Sequence, residues 1–247
     1  MFQRSRTAKQ AGEANGLFRI KDNITTGLTL VVLLVTMAAC VRIDITNPLN
    51  GEIDADADSE ESIQLRSGTG NPVAGREKSK LCQGCHGEYG ISTEPLIPKL
   101  AGQYGPYIAK ELRNYQSGVR THQIMNAMAA TINDDDLDDI SAYFASQTKM
   151  KGNGLKNPVG KKLFLHGDVS RRLLPCVNCH GMNGKGRDPK ISMFPVIGGQ
   201  HKDYLRTQLI NFREGDRTNS PNSIMNKITK LMTDAEIEAL AEYAAAQ

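Results

Sequence analysis

The 247-residue sequence contains no tryptophan, and aromatic residues make up only 5% of it. Its charged residues (23%) and hydrophobic residues (39%) lie in the ordinary range of a globular protein, which argues against bulk disorder. Small domains bury little surface, and without bulky side chains their cores are short of apolar volume. The composition therefore leaves small cores short of bulky side chains unless something else supplies the apolar volume.

The sequence also lacks the long cationic runs and the mixed aromatic and basic surfaces that are typical of nucleic-acid-binding proteins. Its net charge of +3 is unevenly distributed, because residues 152–247 carry fourteen basic groups against nine acidic ones. Two interpretations stay open, a surface that steers an acidic protein partner and an ordinary solvated surface. We therefore expect no nucleic-acid partner.

Residues 1–45 have the pattern of a signal or membrane-anchor segment. Basic residues precede an apolar stretch of 18 residues, Ile24 to Val41, and about 17–25 such residues span a bilayer. Positive charge on this side predicts a cytoplasmic N-terminus and export of everything that follows. The stretch ends in "VTMAAC", which is similar to a bacterial lipoprotein signal with Cys40 as the lipidated residue. An uncleaved helix, a lipidated Cys40 and a cleaved signal peptide all stay open.

Residues 46–69 are predicted to be a flexible acidic linker. Within them, residues 46–66 carry six acidic groups and one basic group, and large apolar side chains are few. Such a composition is typical of a solvated spacer, which would hold a globular part away from a membrane.

The rest of the chain is an internal repeat, which divides it into domains at residues 70–151 and 152–247. The offset between the copies grows from 86 to 100 residues, so the second copy has gained short insertions, which we place in loops. The matching segments are "NPV" from Asn71 and Asn157, "PKLAGQ" from Pro98 and "PVIGGQ" from Pro195, and "IMN" from Ile124 and Ile224.

Each copy is predicted to be helical, and the fold class to be all-α. Apolar residues recur at helical spacing, and one helix in each copy is expected to stop at a glycine, Gly118 or Gly215. The last helix of the first copy should begin at Asn133, and that of the second at Thr233 in a capping box. No run alternates convincingly enough to predict a strand.

Each copy contains a Cys-x-x-Cys-His pentapeptide followed by glycine. A thioredoxin-like redox motif would need a preceding strand, and zinc normally takes four protein ligands, so neither fits well. In an exported protein this pentapeptide indicates covalent attachment of c-type haem, with thioether bonds to both thiols and the histidine below the iron. We therefore predict two covalently bound haem c groups, which also supply the missing apolar bulk. The residues concerned are Cys82, Cys85 and His86 in the first copy and Cys176, Cys179 and His180 in the second.

Met125 and Met225 are the predicted sixth ligands of the two irons. They are matched in the two copies, whereas none of the three remaining histidines is. Methionine and histidine together raise a haem potential and fill both axial positions, which suits electron transfer. Met128 and His122 are the competitors in the first copy.

With its paired haem motifs, "PKLAGQ", "GGQH", "NFREGDRTN" and "DISAYFASQ", the sequence from residue 70 to 247 resembles the dihaem cytochrome c4 family. The resemblance implies two tandem class I cytochrome c domains around a pseudo-twofold axis, with haem propionates facing each other near the interface. It implies the axial pairs His86 with Met125 and His180 with Met225.

The same resemblance implies that a proline carbonyl holds each haem-binding imidazole. Pro95 fits that role in the first copy. Ser192 falls at the matching place in the second copy, which leaves the orientation of His180 open.

These features predict an electron carrier and not an enzyme. We expect it to accept single electrons in the periplasm from a quinol-oxidising complex or another donor and to pass them to a terminal oxidase or reductase. It would be held at the bacterial inner membrane by its N-terminal segment. The alternatives are a tethered dihaem subunit of a haem–copper oxidase complex and a dihaem peroxidase, in which one iron would need a displaceable ligand.

Overall fold

The computed structural model describes residues 59–247, all of which belong to one compact unit. The predicted anchor with Cys40 and most of the predicted linker lie outside the described residues. Within residues 59–247 no helix is both long enough and apolar enough to cross a membrane.

Eleven α-helices make up the described part of the chain, which contains no β-strand and only one isolated bridge, between Asp168 and Leu173. The all-α prediction is therefore confirmed there. The first repeat contains α1 (Glu60–Ser67), α2 (Pro72–Lys78), α3 (Lys80–His86), α4 (Gly105–Gln116), α5 (Gln123–Ala129) and α6 (Asp134–Ser146). The second contains α7 (Pro158–His166), α8 (Val177–His180), α9 (Lys202–Glu214), α10 (Ile224–Thr229) and α11 (Asp234–Ala245).

In each repeat the helix that begins at the "NPV" segment crosses the last helix at a glycine. A Cβ added at Gly75 in α2 would overlap the carbonyl oxygen of Asp139 in α6, and one at Gly160 in α7 would overlap that of Ala239 in α11. These contacts bring α2 against α6 and α7 against α11, so both repeats close in the same way.

Side-chain caps define the helix starts that the sequence indicates. Asn71 and Asn157 accept backbone hydrogen bonds at the starts of α2 and α7. Asn133 caps α6 in the same way, and Thr233 forms the complete capping box of α11. The glycine prediction is confirmed at Gly215, which follows α9 in the left-handed conformation, whereas α4 ends slightly before Gly118. Each cap satisfies backbone groups that a helix end leaves unpaired.

A separate apolar core lies inside each repeat. The stripe of α6 is fully buried, with Leu137 and Phe144 at 0% exposure, and so is its counterpart in α11, with Ile237 at 0%. Each core contains one aromatic pair, with ring centroids 5.2 Å apart for Tyr143 and Phe144 and 5.3 Å apart for Phe164 and Tyr243. The helical periodicity seen in the sequence therefore corresponds to buried faces.

The linker prediction is wrong over Glu60–Ser67, which form helix α1. Ser59 caps this helix. Arg66, only 1% exposed, donates a hydrogen bond of 2.7 Å from Nε to the carbonyl oxygen of Ala145. One buried arginine thus attaches a segment of otherwise polar composition to the end of α6.

The insertions in the second repeat lie in loops, as predicted. The offset between the copies increases in three steps, and each of these three loops contains a short 3₁₀ turn, at Val169–Arg171, Pro189–Ile191 or Pro221–Ser223. The turn at Pro221–Ser223 immediately precedes α10 and has no helical counterpart before α5.

The two repeats meet at a buried polar cluster around Glu111, a residue of α4. Its Oε2 accepts hydrogen bonds from Arg120 at 2.7 Å, Arg217 at 3.1 Å and Asn219 at 2.8 Å. Each guanidinium group also donates to a tyrosine of the opposite repeat, Arg120 to Tyr204 at 3.1 Å and Arg217 to Tyr107 at 3.0 Å. The cluster therefore joins the repeats through charged and neutral hydrogen bonds together.

Candidate haem sites

Helices α3 and α8 carry the two thiol and imidazole sets. Cys82 and Cys85 lie one helical turn apart in α3, and Cys176 and Cys179 have the same spacing at α8. Each helix ends at a glycine with positive φ, 83° at Gly87 and 76° at Gly181. A Cβ there would overlap backbone of the following loop, so only glycine allows the chain to turn so closely behind the histidine.

The four thiols of the two pentapeptides differ in burial. Cys82 and Cys176 pack against the two cores, whereas Cys85 is exposed and Cys179 is half-buried. Burial raises the pKa of Cys82, and it raises the pKa of Cys176 to about 12. Within residues 59–247 no three or more His, Cys, Asp or Glu side chains form a cluster that could hold a metal ion.

The imidazoles of His86 and His180 match in burial and in the hydrogen bond that each ring makes. Each is only 7% exposed, and each donates from Nδ1 to a proline carbonyl oxygen at 2.8 Å, that of Pro98 or Pro195. Burial lowers the pKa of both rings, although the proline carbonyl opposes that shift. Since Nδ1 carries the proton, Nε2 presents a lone pair, and no hydrogen bond to it is found within the described residues.

The expected partner of His86 was Pro95, and that assignment is wrong. Pro98 and Pro195 begin the matching segments "PKLAGQ" and "PVIGGQ", so the two imidazoles are held by equivalent residues. The carbonyl of Pro95 instead accepts the backbone N–H of Tyr204 at 3.2 Å. Ser192 only follows the turn Pro189–Ile191, so the orientation of His180 does not depend on it.

Met125 and Met225 lie on the short helices α5 and α10, and both are half-buried. Met125 packs against the first core. The backbone N–H of Met225 is bound by the Oγ of Ser220 at 3.1 Å, and that of Met125 by the Nδ1 of His122 at 3.3 Å. His122 is an exposed capping residue, which disfavours it as a competing ligand.

The asparagine after each methionine has a role that the sequence reasoning missed. Asn126 Nδ2 donates to the carbonyl oxygens of Tyr115 at 2.6 Å and Arg120 at 3.1 Å. Asn226 donates equivalently to Phe212 at 2.7 Å and Arg217 at 2.8 Å. These bonds hold α5 and α10 against the ends of α4 and α9. The recurrence of "IMN", and not of the methionine alone, was the available signal.

The donor set of each repeat fits a covalently attached haem. Two thiols on one turn match the two vinyl groups, and the adjacent buried imidazole has a free Nε2. A thioether sulfur at a matched position in each repeat is a suitable second axial ligand. Which of these residues hold the two haems stays a prediction from the motif and this geometry.

Comparison with known proteins assigns the family. A sequence model described as cytochrome c matches residues 73–148 and again residues 160–245. Cytochrome c4 from Pseudomonas aeruginosa is 38% identical over 182 residues, which are 72% of this chain and 90% of that protein. A thiosulfate dehydrogenase electron acceptor from Stutzerimonas stutzeri is 33% identical over 197 residues, 77% of this chain and 87% of that protein.

The fold agrees with this assignment. The crystal structure of reduced recombinant cytochrome c4 from Pseudomonas stutzeri superimposes with a TM-score of 0.68 at 37% sequence identity, covering 72% of this chain and 98% of that one. Two cytochrome c domains, each with covalently attached haem c, and a role in electron transfer follow from these relationships. The chain therefore belongs to the dihaem cytochrome c4 family.

Proposed function

We propose that this protein is a periplasmic carrier of single electrons in a respiratory chain and that it catalyses no reaction on a substrate of its own. The observation that carries the proposal is the equivalence of the two sites. His86 and His180 have the same burial and the same hydrogen bond, and a methionine stands at a matched position in each repeat. An enzyme with one open iron would need two differently built sites.

When bound, each haem supplies a one-electron ferric/ferrous couple. The chain's own residues fix its surroundings. The proline carbonyls orient the imidazoles, and Asn126 and Asn226 hold the methionine helices in place. Axial ligands, their hydrogen bonds and burial set the potential of such a couple.

We place the domains at residues 70–151 and 152–247, with the eight predicted thiol, imidazole and thioether residues as the haem-binding set. Helix α1 extends the packed part of the first repeat upstream of that boundary. Residues 1–45 would hold the protein at the outer face of the inner membrane, as an uncleaved helix or through a lipidated Cys40. Mass spectrometry of the mature N-terminus separates these two forms from a cleaved signal peptide.

The electron donor would be a quinol-oxidising complex or a periplasmic enzyme, and the acceptor a terminal oxidase or reductase. A thiosulfate-oxidising enzyme is a further candidate donor, because one relative of this chain is a thiosulfate dehydrogenase electron acceptor. The excess of basic groups in residues 152–247 suits an acidic docking surface on one of these partners.

A tethered dihaem subunit of a haem–copper oxidase complex is the alternative, and a dihaem peroxidase is less well supported. Gentle extraction in mild detergent tests the first, because a permanent subunit copurifies with its complex whereas a free carrier does not.

The spectrum of the purified protein tests the carrier proposal against the peroxidase. Two haems per chain, with the sulfur-to-ferric-iron band at full strength and no high-spin signal, support a carrier. A band of half strength, together with a high-spin signal that shifts with those ligands, would overturn it.

A further inference from the structure

Gln103 and Gln200 are buried at the interface between the repeats, although neither belongs to the predicted haem-binding residues. They end the matching segments "PKLAGQ" and "PVIGGQ", and each is 5% exposed. Both side chains reach across to the opposite repeat. Such long side chains lose much conformational freedom on burial, so a buried glutamine is normally held by several hydrogen bonds.

Gln200 pairs with both backbone groups of Lys99. Its Oε1 accepts the N–H of Lys99 at 2.9 Å, and its Nε2 donates to the carbonyl oxygen of Lys99 at 2.8 Å. Gln103 makes the same pair with Val196, accepting at 2.9 Å and donating at 2.8 Å. The arrangement is symmetric, because Lys99 and Val196 occupy equivalent positions in the two repeats.

The bonded N–H groups belong to the peptides that hold the histidines. The N–H of Lys99 and the carbonyl of Pro98 are the two ends of one planar amide, and that carbonyl accepts Nδ1–H of His86 at 2.8 Å. The amide of Pro195 and Val196 likewise lies between His180 and Gln103. Two hydrogen-bonded chains therefore run from an imidazole through one peptide to a glutamine of the other repeat.

Hydrogen bonds in such a chain polarise one another. An acceptor on the N–H of an amide increases the negative charge on its carbonyl oxygen, and each bond in a chain is strengthened by roughly 10–30%. A stronger bond at Nδ1 makes the imidazole a better electron donor, which favours ferric over ferrous iron.

On this basis we infer that Gln200 and Gln103 are positioning residues that set the basicity of His86 and His180 from the opposite repeat. The inference rests on the proposed role of these two histidines as haem ligands. It makes the redox properties of each haem depend on the domain that does not carry it.

The test uses the full-length protein with both haems and the variants Gln200→Met and Gln103→Met, which remove the acceptor at similar volume. NMR signals of each haem, followed during a redox titration, report the two potentials separately. We expect Gln200→Met to increase the reduced-to-oxidised ratio of the first-repeat haem roughly twofold at a fixed potential, with a smaller effect on the other haem. Gln103→Met should do the reverse.

Tyr104→Phe is the matched control. It removes another hydrogen bond across the interface, from the tyrosine Oη to the carbonyl oxygen of Arg187 at 2.9 Å, and that bond involves neither of the peptides that hold the histidines. It should shift neither potential selectively. A glutamine variant that shifts the haem of its own repeat, or both haems equally as a loosened interface would, overturns the inference.

Two further readouts keep the outcome decisive. In the reduced protein the Nδ1–H signal of His86 should move upfield in Gln200→Met, as a weakened hydrogen bond requires, and an unchanged signal overturns the inference. If Gln200→Met does not fold with both haems, Gln200→Glu provides the test. Its charged acceptor should lower the potential of the first-repeat haem more than that of the second. These shifts do not depend on the physiological partner, so the carrier proposal can fail separately.

Discussion

Glu111 of the first repeat and Arg217 of the second form an ion pair across the interface, with 3.1 Å between the carboxylate and guanidinium atoms and both side chains only 8% exposed. Arg120, the counterpart of Arg217, binds the same carboxylate oxygen at 2.7 Å. The residue that corresponds to Glu111 is Gln208, which accepts from both arginines, at 2.9 Å and 2.8 Å. One carboxylate thus serves two buried guanidinium groups.

The first prediction concerns Glu111→Gln. Loss of the carboxylate leaves two buried guanidinium groups without a countercharge, and removing one partner of a buried pair costs about 3–5 kcal/mol. The free energy of unfolding, measured by chemical denaturation, should fall by that order. Glu88→Gln is the control, because its ion pair with Arg76 is more than half exposed and should cost about 0–1 kcal/mol. Equal effects of the two substitutions would contradict the prediction.

The second prediction is a pH dependence. Burial disfavours the charged form of Glu111, but Arg217, Arg120 and Lys110 outweigh it and lower the pKa to about 2. An acid whose pKa is depressed on folding stabilises the protein above its unfolded pKa, here near 4.5, and loses that contribution as the pH falls toward 2. Across this window the wild-type protein should lose on the order of 3 kcal/mol more stability than Glu111→Gln. If the unfolding free energies of the wild-type protein and Glu111→Gln fell by the same amount as the pH was lowered, the prediction would be contradicted.

The third prediction concerns Met125 and Met225, the methionines proposed as axial ligands. Met125→Ala and Met225→Ala should each halve the sulfur-to-ferric-iron band and lower the potential of one haem, since a thioether ligand raises it. Met128→Ala serves as the control, because Met128 lies on the same helix as Met125 and has Ile228 as its counterpart. Visible and near-infrared spectra with a redox titration measure both effects. A full-strength band in Met125→Ala would exclude that residue as the ligand.

The fourth prediction concerns the helix crossing at Gly75. Alanine there would place a Cβ on the carbonyl oxygen of Asp139 and 2.9 Å from the Cβ of Tyr143. Helix propensity favours alanine, but overpacking typically costs about 1–3 kcal/mol, so we expect net destabilisation. Val73→Ala, at a position 80% exposed in the same helix, should change thermal stability by less than about 0.5 kcal/mol. Stabilisation by Gly75→Ala would show that α2 can move away from α6.

Local patterns in the sequence predicted the helical elements well. The stripes of α6 and α11, the caps at Asn133 and Thr233 and the glycine after α9 all depend on residues close in sequence. In each Cys-x-x-Cys-His pentapeptide the two thiols and the imidazole likewise lie within about one helical turn. Such features are predictable because the interacting groups are neighbours along the chain.

Contacts between segments that are distant in sequence could not be predicted from local patterns. The choice of Pro98 over Pro95 depends on how a loop without periodicity folds back on α3, and the two prolines are only three residues apart. The burial of Arg66 depends on the carbonyl of Ala145, which no composition rule predicts. For Gln103 and Gln200 a signal was present, because both recur in the repeat, but their targets lie in the opposite copy.

Gln103 and Gln200 occupy equivalent positions of the two repeats, 97 residues apart, and so do Arg120 and Arg217. Each makes across the interface the contact that its counterpart makes in the opposite direction. Geometrically this is the self-complementary contact of a homodimer, placed inside a single chain. Covalent fusion makes the association independent of protein concentration. It also permits what identical subunits cannot have, namely Glu111 opposite Gln208 and Lys99 opposite Val196. Two cofactors in nearly equal sites can thereby acquire different properties through substitutions in one half alone.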